Sequence, residues 1–157
     1  MIVLEIMRLL KEKNQNLSVA ESCTGGALSH EITKISGISL VFLGSITAYS
    51  NDSKNKILNI PKNILEKHGA VSEPTALKMA ENCSSLFSST WALSTTGIAG
   101  PEGGTLSKPV GLVFIGIYGP ACAYAKEFIF TGNRLEHRQK TVQEALSILL
   151  HELRSIS

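Results

Sequence analysis

Apolar residues at Ile2, Val3, Ile6, Leu9 and Leu10 recur at helical spacing. They predict an amphipathic helix over residues 2–13, stopped by Asn14, Gln15 and Asn16. Residues 17–20 form a short apolar run that reads as a strand. It leads directly into Glu21-Ser22-Cys23-Thr24-Gly25-Gly26 and then a helical pattern over 27–35. Ser36-Gly37-Ile38-Ser39 breaks that pattern. Residues 40–50 are rich in β-branched and aromatic side chains and predict a long strand, with Gly44 inside it as a bulge or a point of close approach. Asn51 can cap a helix carrying Lys54 and Ile57. Pro61 suits the first turn of a helix that ends near His68 and stops at Gly69. Ser72 caps the next helix, with Pro74 in its first turn, running to about Phe87. Residues 91–96 predict a strand that ends in a glycine-rich stretch over 97–104. Strands over 110–118 and 121–130 are joined only by Gly119-Pro120, too short for a crossover, so they predict an antiparallel hairpin. A last amphipathic helix runs over about 134–153.

The predicted order is α-β-α-β-α-α-α-β-β-β-α. Helices alternate with strands early and a hairpin closes the sheet. This predicts an α/β fold: one three-layer α/β/α domain with a mixed sheet over residues 1–157. The apolar side of the last helix, with Val142, Ala145, Leu146, Ile148, Leu149 and Leu150, carries more hydrophobic surface than one sheet face needs, and so predicts a homodimer.

Composition narrows the function. The net charge is +2 and the basic residues are scattered, which argues against a nucleic-acid partner. No stretch reaches the ~18 apolar residues of a membrane span, and Glu5 interrupts the first apolar run, so no signal peptide is expected. Three cysteines, an odd number without CxxC spacing, suggest reduced thiols and a cytoplasmic location. Four histidines without HxH or HExxH spacing give no metal site, and no cofactor is expected.

Three small-residue loops adjoin predicted strands, over 21–26, 36–39 and 95–104. In open α/β sheets such loops gather at strand ends and form the ligand crevice. Their backbone N–H groups can face an anion closely. Each loop alone is better explained by tight turns.

Five strings in order are more specific. They are Ala20-Glu21-Ser22-Cys23-Thr24-Gly25-Gly26, Ala48-Tyr49-Ser50-Asn51 with Lys54, His68-Gly69-Ala70-Val71-Ser72, Thr96-Gly97-Ile98-Ala99-Gly100-Pro101, and Lys108-Pro109-Val110-Gly111. Together they resemble the CinA C-terminal family of nicotinamide-nucleotide amidohydrolases, over nearly the whole chain. The resemblance implies hydrolysis of the carboxamide of nicotinamide mononucleotide to nicotinic acid mononucleotide and ammonia, by a serine and a lysine. It implies Ser39 as nucleophile, Lys54 as base and Tyr49 as a proton relay. Ser22, Thr24, Gly25, Thr96 and Gly97 would line the substrate site, with Arg134 on the substrate phosphate. The family turn often reads Pro-Gly-Ser-Ser where this chain has Ser36-Gly37-Ile38-Ser39. Longer members carry a preceding molybdopterin-binding-like domain, so an activity of that domain, such as ADP-ribose hydrolysis, is not expected here.

The chemistry is coherent. A serine hydroxyl needs a base within hydrogen-bond reach, and a lysine serves only if burial or a nearby cation lowers its pKa. The tetrahedral oxyanion needs N–H donors, which a glycine-rich turn can supply. Cys23 is a rival nucleophile, because a helix N-terminus lowers a thiol pKa. Ser22 could instead serve as a helix cap. A competing function is a non-catalytic nucleotide-binding or regulatory module, in which Lys54 stays charged.

Overall fold

A computed structural model describes residues 1–156. It contains α1 (Ile2–Glu12), β1 (Leu17–Glu21), α2 (Ala27–Thr33), β2 (Phe42–Thr47), α3 (Asn51–Lys56), α4 (Lys62–His68), α5 (Glu73–Phe87), β3 (Trp91–Gly97), β4 (Leu112–Gly119), β5 (Cys122–Ile129) and α6 (Arg134–Ser155). The sheet order is β2-β1-β3-β4-β5. β2, β1 and β3 run parallel, and β4 and β5 return antiparallel. The predicted mixed sheet and hairpin are both present.

Helices cover both faces of the sheet, which is why all five residues of β1 are buried. On one face Ile6 and Leu10 of α1, Leu28 of α2 and Leu149 of α6 meet Val19, Leu93 and Ile115. On the other face Leu58, Ile60, Leu65 and Met79 meet Ala20 and Ala92. The alternation of large Val19 and Leu93 with small Ala20 and Ala92 follows the period of two along a strand. The apolar residues of α6 that suggested a second copy, Val142, Ala145, Leu146, Ile148, Leu149 and Leu150, are buried within the chain, in the cluster they share with α1, α2 and the sheet.

The small side brings α5 unusually close. A Cβ at Gly116 would lie 2.4 Å from the Ala76 carbonyl oxygen, and Ser94 Oγ donates to that same oxygen. Gly116→Ala therefore forces α5 off the sheet. It is expected to destabilise the fold by about 1–3 kcal/mol, read as a lower urea midpoint with an unchanged slope.

The second strand is shorter than the sequence predicts. Gly37, at φ 83°, starts a 3-10 turn over Ile38–Leu40, so β2 begins only at Phe42. The other end closes at Thr47, because Ser50 rather than Asn51 caps α3: its hydroxyl accepts from Ser53 N–H, and Ser53 Oγ accepts from Ser50 N–H. The expected irregularity at Gly44 is present. Leu17 pairs with Phe42 but Ser18 pairs with Gly44, leaving Leu43 as the extra residue of a bulge. The Phe87 ring occupies the space beside Gly44, 2.7 Å from where a Cβ would sit.

Candidate active site

The carboxyl ends of β1, β2 and β3 lie side by side, and the loops that follow them build the site. The first is the turn after β1. Ser22 N–H donates to Thr95 O (2.9 Å), carrying the sheet ladder one residue past Glu21. Gly25 N–H then closes on Ser22 O (3.0 Å) and Ala27 N–H on Thr24 O (2.9 Å). Gly25 and Gly26 take φ of 55° and 102°, the left-handed backbone that glycine reaches without a Cβ clash. Glu21 is fully buried, yet it is satisfied. Its carboxylate accepts from Leu28 N–H (2.8 Å), Ser29 N–H (3.0 Å) and the Thr24 hydroxyl, tying α2 to the end of β1.

The second loop delivers the lysine. Lys54 lies in the last turn of α3 and points inward, 1% exposed. Its Nζ sits 2.9 Å from Ser22 Oγ and donates to Tyr49 O at 3.1 Å. Among the described residues no carboxylate pairs with it. Burial therefore pulls the Lys54 pKa below its ordinary value. A Cys23 thiolate would oppose that shift, but burial pushes the Cys23 thiol up to about 12, so it is uncharged at neutral pH. The same burial makes Cys23 a poor nucleophile.

The third loop and the start of α6 form the rim. Arg134 Nη1 donates to Gly100 O (2.7 Å) and Nη2 to the Tyr49 hydroxyl (2.8 Å). One exposed guanidinium thus ties the loop after β2 to the loop after β3. Tyr49 is 60% exposed, its ring at the mouth of the site. Two further α6 side chains reach the loops. His137, buried, bonds Ala99 O through Nδ1 (2.7 Å), and Arg138 Nη2 donates to Thr24 O (2.8 Å).

The residues singled out from sequence fall into two groups. Ser22, Lys54, Tyr49, Gly25 and Arg134 surround one place. Ser39 does not join them. It is exposed in the 3-10 turn before β2, while Lys54 follows β2, and the six residues of that strand rise about 20 Å. The lysine's serine partner is Ser22. Tyr49 also meets Lys54 differently than expected, through its carbonyl oxygen and not its hydroxyl, which is occupied by Arg134. Thr24 and Thr96 are fully buried and their hydroxyls are spent inside the protein: Thr24 on Glu21 and Thr95, Thr96 on Ala70 O (2.8 Å). Gly97 is needed by the sheet, since a Cβ there would sit 2.8 Å from Leu112 O.

Glu21, His137 and Arg138 are the site residues that sequence reading missed. A signal existed for the last two. Asn133 and Glu136 form a capping box, which marks the start of α6 and puts 134, 137 and 138 on one helix face. Among the described residues no cluster of His, Cys, Asp and Glu side chains could hold a metal ion, and no helix is long and apolar enough to cross a membrane.

Comparison with known proteins gives a consistent result. The family model described as the CinA C-terminal domain matches residues 2–153. The chain is 47% identical over 144 residues to a CinA-like protein of Dictyoglomus turgidum, covering 92% of this chain and 35% of that one. It is 48% identical over 147 residues to a CinA-like protein of Prochlorococcus marinus, again 92% of this chain and 35% of the relative. The chain thus spans about a third of the length of these relatives. Among solved structures, the competence damage-inducible protein A of Klebsiella pneumoniae superposes with a TM-score of 0.95 at 28% identity, over 99% of this chain and 97% of that one. The competence/damage inducible protein CihA of Agrobacterium tumefaciens gives 0.93 at 35% identity, over 98% and 93%.

Proposed function

The chain belongs to the CinA C-terminal domain family, and we propose that it hydrolyses the carboxamide of nicotinamide mononucleotide, with Ser22 as nucleophile and Lys54 as base. One observation carries this reading: a buried lysine without an acidic partner, 2.9 Å from a serine hydroxyl. An uncharged Nζ has one lone pair. With an N–H directed to Tyr49 O, that lone pair is free to accept the Ser22 proton.

Lys54 Nζ takes the proton as Ser22 Oγ bonds to the carboxamide carbon. The oxyanion collapses, the C–N bond breaks, and ammonia leaves with the proton held on Lys54. Water attacks the acyl ester, again giving up a proton to Lys54, and Ser22 Oγ departs with that proton. The product is nicotinic acid mononucleotide. The N–H groups of Cys23 and Thr24 directly follow the nucleophile and donate to no partner among the described residues, so they are the donors we assign to the oxyanion. Arg134 at the rim is the group we assign to the nucleotide phosphate, and Tyr49 offers its exposed ring to the pyridine. We propose the cytoplasm as the place of the reaction, a reading supported by an odd number of cysteines without CxxC spacing.

The test is ammonia release from nicotinamide mononucleotide by the purified chain. A folded protein that binds this nucleotide without releasing ammonia would make it a binding module. The pH profile gives a second check. Only neutral Lys54 is a base, so kcat/KM rises with pH as Lys54 deprotonates. Burial lowers its pKa, so the rise is expected to be centred below the ordinary lysine value of 10.5. A rise centred at or above that value would show a solvated lysine and remove Lys54 from the role.

A further inference from the structure

Arg138 is half-buried, and among the described residues it pairs with no carboxylate. A guanidinium held this way gives up hydration and must recover it in hydrogen bonds. Among the described residues its one hydrogen bond goes to the main chain of the turn after β1, at Thr24 O. That carbonyl belongs to the same planar peptide unit as Gly25 N–H, which closes the turn on Ser22 O at 3.0 Å. The unit is therefore gripped at both ends, by Arg138 and Ala27 N–H on the oxygen and by Ser22 O on the nitrogen. Gly25 is the one residue of the turn that could let it rotate, because glycine populates both signs of φ with little cost. Rotation would break the closure on Ser22.

The geometry points to Arg138 as a positioning residue: it holds the Thr24–Gly25 peptide in the orientation that keeps Ser22 Oγ against Lys54 Nζ. Arg138 is assigned no contact with substrate and acts through the turn. The inference rests on the Ser22–Lys54 reading above. It adds that α6, the last element of the chain, sets the geometry of a nucleophile near its beginning. Arg138 Nη2 also lies 3.5 Å from where a Gly25 Cβ would be, so the side chain covers the residue whose freedom it restrains.

The experiment compares wild type with R138M and R138K, following kcat, KM, the thermal midpoint and the solvent exchange rate of the Gly25 amide by NMR. R138M is expected to fold, to keep KM within about twofold and to lose about 10- to 100-fold in kcat, the cost of a small misplacement of a reacting group. Its Gly25 amide should exchange faster. R138K keeps a donor and should recover part of both effects. Wild-type kcat or wild-type Gly25 exchange in R138M overturns the proposal. So does a loss that tracks a lowered thermal midpoint and is not relieved by R138K. If R138M does not fold, R138Q takes its place under the same criteria. Should the wild type itself release no ammonia, the hydrolase reading fails on its own. Gly25 exchange then decides whether Arg138 holds the turn.

Discussion

Ser22→Ala is expected to lower ammonia release from nicotinamide mononucleotide by at least about 10³-fold, while Ser39→Ala stays within about twofold of wild type. The contrast is large because only one of the two hydroxyls touches Lys54. Ser22 Oγ is 2.9 Å from Lys54 Nζ, whereas Ser39 lies in an exposed turn at the opposite end of β2. Ser22→Ala removes one oxygen and leaves the turn intact, since the turn is held by the Ser22 main chain, Glu21 and Thr24. Its thermal midpoint should therefore stay close to wild type, and a lost activity cannot be blamed on unfolding. Substrate binding should persist in the same variant. An active Ser22→Ala enzyme, or an inactive but folded Ser39→Ala enzyme, would reverse the assignment. Turnover by Ser22→Ala could also pass to Cys23, and Cys23→Ala in that background would test it; the uncharged thiol argues against this route.

Lys54→Met is expected to abolish activity and to make the protein more stable. The loss should be at least about 10²–10⁴-fold, the usual contribution of a positioned base. The gain has a different origin. Lys54 is 1% exposed and burial lowers its pKa, so folding shifts the amine towards its neutral form relative to the unfolded chain. Below both pKa values this costs stability in full. The cost shrinks as pH rises from the folded pKa towards the ordinary 10.5. Methionine has similar length and no charge to desolvate. Its thermal midpoint should exceed wild type at neutral pH, by about 2–4 °C for each kcal/mol relieved, and the gap should narrow as the pH approaches that of a free lysine. A variant less stable than wild type at neutral pH would mean that the amine contributes more through its two hydrogen bonds than burial costs it. An inactive enzyme with a raised midpoint would mark Lys54 as a residue kept for chemistry at the expense of the fold.

The elements were legible because each carries its own period. The short apolar run at β1, the strand at β3, the capped start of α5 and the short Gly119-Pro120 join all translate directly into structure. Cap choice was less legible, since Ser50 and Asn51 are both good caps and only the reciprocal bond to Ser53 separates them. The site was legible in part of its membership, Ser22, Lys54, Tyr49 and Arg134, and not in its pairing. Ser39 is nearer to Lys54 along the chain, but an extended strand carries the chain away from itself. Partners across a parallel sheet come from segments far apart in sequence, here β1 and β2. Which atom of Tyr49 faces Lys54, and that Thr96 is spent on Ala70, depend on side-chain directions that no linear pattern encodes.

The bulge at Leu43 sits between the 3-10 turn and the rest of β2. Above it, Gly44 to Thr47 stay in strict step with Ser18 to Glu21, and that step aligns the exits towards Ser22 and Lys54. Below it, the ladder already carries one surplus residue. Length changes upstream, in the stretch around Ser36 to Leu40, thus have a joint where they can be taken up before they reach the end that carries Ser22 and Lys54. A one-residue change in the length of the segment that holds Ser39 is therefore expected to leave the Ser22–Lys54 distance in place.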